Sequence, residues 1–278
     1  MSSEFLTIYW RDMLRFVRFR IALVASLVQP ALWMALYGAA MSSNFYRLSF
    51  GTSVPHDAVA VSYLTFMGAG VIALTTLFTS LFGGITLLFD KNWGLMRELL
   101  ASPMPRNHII LGIGLSGVTK SFIQVMVIMG FGLLIGVRFF PGYSPAQTLG
   151  AILGILLFVG IFSIGFLFLS SAISMSMETP EGLQAVITLL TLPLFFASNA
   201  LYPIDAFPPA VRILSQFNPL THLVNGVRYF AVGSDFYAIG IHYTYGVSDI
   251  LQSLLALSAF AAVMFLVAWQ VFKRAVVT

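Results

Sequence analysis

The 278-residue chain is 59% hydrophobic and only 9% charged, with a mean hydropathy of +0.93, whereas globular proteins carry about 25% charged residues. So few charges cannot coat a water-facing surface, which excludes a soluble domain and leaves an integral membrane protein. The formal net charge of +4 does not support nucleic-acid binding, and a chain without cysteine has neither disulfides nor thiolate chemistry.

Residues 4–20 place Arg11, Arg15 and Arg18 on one helical face, with Leu6, Tyr9, Met13, Phe16 and Val17 mostly on the other. This pattern predicts an interfacial helix whose arginines reach for lipid phosphates. It is expected to be retained: the charged region is too long for a signal peptide and no A-x-A-like site follows. Residues 21–41 form the first predicted span, about 31 Å long at ~1.5 Å per residue, with Pro30 as a kink site. A polar loop leads to the second span at 61–89.

A charged island at 90–107, reading DKNWGLMRELLASPMPRN, separates that span from the third. Trp93, Met96, Leu99 and Leu100 recur at helical spacing, with Lys91, Arg97 and Glu98 largely on other faces. The spacing predicts a short amphipathic helix stopped by Pro103 and Pro105. It is either a lever for a docking protein or a turn resting on lipid.

The remaining spans are predicted at 109–137, 149–177, 183–201 and 250–272. Gly132 with Gly136, and Gly150 with Gly154, are spaced for close helix packing. Thr179 can cap a helix that begins at Pro180. Residues 202–248 are the longest non-spanning stretch. A helix near 207–217, containing Pro208, is broken at Asn218–Pro219, and a second at 221–232 contains Arg228. Neither can cross a bilayer, so 202–232 reads as a re-entrant pair before the last span. The outer aromatic residues suit an interfacial belt.

With the N-terminus inside, nine Lys/Arg fall on the cytoplasmic side, and Arg47, Arg138, Arg212 and Arg228 fall outside. That is the positive-inside pattern, with both termini cytoplasmic. Lys120 is the single charge well within a predicted span, either lining a translocation path or snorkelling to the interface. The chain has no G-x-x-x-x-G-K-[ST] phosphate loop and no H-E-x-x-H, and His56, His108, His222 and His242 lack metal-ligand spacing. It is therefore not expected to bind ATP, hold a metal or catalyse a reaction.

Three segments together resemble the permease subunits of type 2 ATP-binding-cassette (ABC) exporters: WGLMRELLASPMPRNHIILG at 93–112, YPIDAFPPAVRILSQFNPLTHLVNGVRYF at 202–230, and the N-terminal amphipathic helix entering span one. Met96–Arg97 departs from the family, where a small polar residue commonly follows the glycine. The resemblance implies an all-α inner-membrane protein of six transmembrane helices, with a coupling helix at 90–107 bearing Trp93, Met96, Arg97, Glu98, Leu99 and Leu100. It implies a re-entrant gate containing Pro208, Asn218, Pro219 and Arg228. Two copies of a separate ABC ATPase, which binds the ATP, would dock beneath two copies of this chain. The cargo would be amphipathic or lipid-linked, such as a drug, lipid, glycolipid or polysaccharide. An energy-independent channel or a structural membrane protein is the alternative, although the spans lack a polar pore stripe.

Overall fold

The computed structural model describes residues 4–38, 40–42, 60–101 and 106–274. Residues 43–59 of the predicted loop at 42–60, and the stop at Pro103 and Pro105, lie outside the described residues. In chain order, α1 (Glu4–Arg18) is followed by α2 (Arg20–Leu32), which runs into a π-helical segment (Trp33–Gly38). Then come α3 (Tyr63–Asn92), α4 (Leu95–Ala101), α5 (Arg106–Leu134), α6 (Pro145–Ser176) and α7 (Pro180–Phe196). The chain ends with α8 (Pro209–Phe217), α9 (Pro219–Ala231), strands β1 (Asp235–Ala238) and β2 (Ile241–Thr244), and α10 (Val247–Arg274).

Polar caps and prolines set the helix starts. Ser62 accepts from the Thr65 N–H at the head of α3, and Ser144 forms a reciprocal capping box with Gln147 ahead of Pro145. Thr179 accepts from Gly182 ahead of Pro180, and Asn218 accepts from Leu220 ahead of Pro219. Pro30 sits inside α2 three residues before the π-helical segment, so the expected disturbance of span one takes the form of a change in helical pitch.

Among the described residues, α3, α5, α6 and α10 are long and apolar enough to cross a membrane. At 28 to 32 residues they reach about 42–48 Å, more than the roughly 30 Å hydrocarbon core requires. The first and fifth predicted spans correspond to α2 with its π segment and to α7, which is shorter at 17 residues. Helix α6 is the hub, packed along α3 and α10 and also touching α9 and α5. Being apolar on every side, it suits this central place. The glycine pairs do not act as paired notches. A Cβ at Gly154 would strike the Phe230 ring on α9, while Gly150 and Gly136 meet nothing.

The all-helical expectation misses an antiparallel hairpin, in which Phe236 pairs with Tyr243 and Tyr237 with His242. A parallel bridge from Tyr237 to Ala60 ties the hairpin to the start of α3.

Candidate functional site

The charged island folds differently from a single amphipathic turn. Gly94 takes φ +82°, a left-handed conformation that favours glycine, and separates the end of α3 from α4. Trp93 is therefore not on the same helix as Met96, and the apolar stripe divides. Met96 turns inward among Leu87, Ile110, Phe168, Ala172 and Phe272. Trp93 is 70% exposed and stacks on Phe89 at 5.2 Å. Arg97 and Glu98 are exposed and Leu99 is half-buried. Lys91 donates to the carbonyls of Met175 (2.8 Å) and Met177 (2.9 Å), and Asn92 donates to that of Glu178. These bonds supply donors to carbonyls at the C-terminal end of α6, which the helix itself leaves unpaired. The island is thus fastened both to the core and to the α6–α7 link.

Two arginines expected to face lipid phosphates instead converge on one carboxylate. Asp90, whose side chain is 2% exposed, accepts from Arg11 at 2.6 Å and from Arg15 at 2.9 Å. Arg18 is exposed. Next to Arg11 on α1, Asp12 accepts from Lys120 at 2.6 Å and from Ser116, both on α5. Lys120 also lies 5.7 Å from the Phe16 ring centroid. It is therefore paired inside the protein rather than snorkelling. A charge needing such compensation is stable there only with its partner present.

Between α1, α2, α3 and α5, Asp12 and the cations that meet these acids border a cavity of about 1170 Å³. Its apolar wall includes Phe16, Phe19, Phe78, Phe82 and Phe89, with Trp93 at one end. Arg11, Arg15, Arg18 and Lys120 also line it. Gln124, hydrogen-bonded to Thr79 and to Ser26 (2.8 Å), closes the far side.

At the other end of the bundle, α8 and α9 form the expected pair of short helices. Asn218 caps α9 and donates to the Leu194 carbonyl at 2.7 Å. Pro208 is exposed at the N-cap of α8. Arg228, placed by the sequence in the second of the two short helices, is completely buried. Its guanidinium donates to the carbonyls of Asn199 (2.6 Å) and Ala200 (3.3 Å) and lies 3.6 Å from the Phe66 ring centroid. It locks the turn after α7 onto α9 and α3. Nearby, burial pushes the Tyr243 and Tyr245 hydroxyls above their usual range, and Arg228 opposes this. Both rings stay neutral at physiological pH.

Sequence reasoning located the island and the helix pair but missed Asp90 and Asp12 as partners. Asp90 closes a long uncharged run, a signal that a cation must come to it, whereas Asp12 sits among the arginines of its own helix and gives no such signal.

A family model for the ABC-2 type transporter matches residues 3–231. The chain is 30% identical over 274 residues to a putative transport permease, ycf38, of Cyanophora paradoxa, covering 98% of this chain and 89% of that protein. It is 24% identical over 275 residues to the inner membrane transport permease YadH of Escherichia coli, covering 96% and 94%. It is 24% identical over 226 residues to a probable doxorubicin resistance ABC transporter permease protein, DrrC, of Mycobacterium tuberculosis, covering 80% and 75%.

Proposed function

The chain belongs to the ABC-2 type transporter family, and on that premise we propose that it is the membrane subunit of an ATP-driven exporter. Two copies work with two ATPase subunits, which bind the nucleotide, and the cargo is amphipathic or lipid-linked. The observation that carries this reading is the two-sided character of the island. Trp93, Arg97 and Glu98 present an outward face, while Met96 and Lys91 join the same segment to α6 and α10. A partner pushing on the outward face moves the bundle, because close-packed interiors transmit displacement. Helices α8 and α9, latched by Arg228 and Asn218, form the outer gate, and Lys120 borders the path by which cargo enters.

A docked aromatic anchor contributes about 2 kcal/mol or more, while charges at a rim mainly set register. Trp93→Ala should weaken association with the ATPase by roughly thirtyfold. Glu98→Gln should keep the complex but reduce transport per ATP hydrolysed. Co-purification of the ATPase with each variant, beside a transport assay, decides the matter. Unchanged association and transport in both would remove α4 from the coupling path.

The orientation has α4 in the cytoplasm and the hairpin outside, in line with the Lys/Arg bias. Asn92 and Ser234 are both exposed and the chain has no native cysteine. In intact cells, a cysteine at Ser234 should react with an impermeant thiol reagent and one at Asn92 should react only after permeabilisation. Labelling in the opposite sense would invert the topology.

A further inference from the structure

We infer that the cavity between α1, α2, α3 and α5 is a binding site for an anionic phospholipid drawn from the leaflet on the α4 side. The charge is unbalanced there. Arg11, Arg15, Arg18 and Lys120 line the cavity, and the carboxylates that meet them are Asp12 and Asp90. Asp12 is taken up by Lys120 and Ser116 deep in the wall. Arg11 and Arg15 share Asp90, and Arg18 has no carboxylate partner among the described residues. Two positive charges are thus left unmatched around Arg15 and Arg18, near the junction where α1 turns into α2.

The rest of the cavity is apolar. Phe78, Phe82 and Phe89 follow one another down α3 and are faced by Phe16, Phe19 and Leu23. A small soluble anion would leave that surface wet, and a neutral hydrocarbon would leave the arginines unmatched. A zwitterionic lipid would bring its own cation among them. A phosphate-bearing lipid with net negative charge satisfies both parts: headgroup against Arg15 and Arg18, acyl chain along the phenylalanines. Basic pockets between membrane helices recognise anionic headgroups in this way.

The inference stands apart from the export reading, since it is tested without any ATPase. Wild-type chain in detergent would be exposed to equal amounts of phosphatidylglycerol and phosphatidylcholine, and the retained lipid counted by native mass spectrometry. Phosphatidylglycerol should be retained in preference, and Arg18→Gln should lower that preference about fivefold. Thr86→Trp, which fills the cavity from α3, should abolish retention of both lipids. A photoactivatable phosphatidylglycerol should crosslink to wild-type α3 between residues 78 and 89, a readout that needs no variant to fold. Equal retention of the two lipids, a preference that survives Thr86→Trp, or crosslinks confined to other helices would overturn the site.

Discussion

Lys120→Met should destabilise the chain by about 3–5 kcal/mol, the cost of leaving one member of a buried pair alone. The Asp12 side chain is 8% exposed and that of Lys120 13%, so bulk water has little access to the bared carboxylate. Restoring balance should restore stability: Asp12→Leu combined with Lys120→Met should recover most of the loss, because the cost of desolvating both charges disappears with them. Thermal unfolding in detergent of the two single variants and the double variant measures the coupling. If Lys120→Met costs less than about 1 kcal/mol, the figure for an exposed pair, then Asp12 is not held by Lys120. Separation of α1 from α5 should accompany the loss, since this pair and the packing of Ile8 against Gly112 join the two helices.

Arg228→Met should cost about 3 kcal/mol or more and open the α8–α9 end of the bundle locally. It removes two hydrogen bonds from a charged donor, each about 1.5–3 kcal/mol, along with the stacking on Phe66. The carbonyls of Asn199 and Ala200 would be left without this donor in a buried turn. Arg228→Lys should rescue little, because a point charge cannot reach both carbonyls and lie flat on a ring. Faster hydrogen exchange at residues 197–203 in both variants, with α5 unaffected, is the expected signature. Wild-type exchange there would show that Arg228 is not the latch.

Local features of the fold could be read from the sequence and non-local ones could not. Thr179–Pro180 and Asn218–Pro219 announce helix starts because capping involves residues only two or three apart. The apolar runs announce α3, α5, α6 and α10 because no charge interrupts them for long. The partners of Lys120 and Asp90 lie 75 to 108 residues away, and helical spacing carries no information at that range. The division of the apolar stripe at Gly94 escapes periodicity for another reason: periodicity counts residues as though the helix were continuous, and a left-handed glycine resets the count. The burial of Arg228 is not legible in the sequence, because it depends on carbonyls presented by a turn in a different segment. The hairpin escaped because each strand has only four residues, too few for alternation to stand out.

The separation between Asp12 and Lys120 also has a meaning in time. Lys120 is made 108 residues after Asp12, which at about 5–20 residues per second is a delay of roughly 5–20 s. Asp90 likewise reaches the ribosome 75 residues after Arg15. Throughout that interval α1 has emerged but its mates have not, and the lipid surface is what its arginines can meet. The amphipathic pattern of residues 4–20 thus suits the waiting nascent helix, and the ion pairs describe the same helix after α3 and α5 have arrived to claim it.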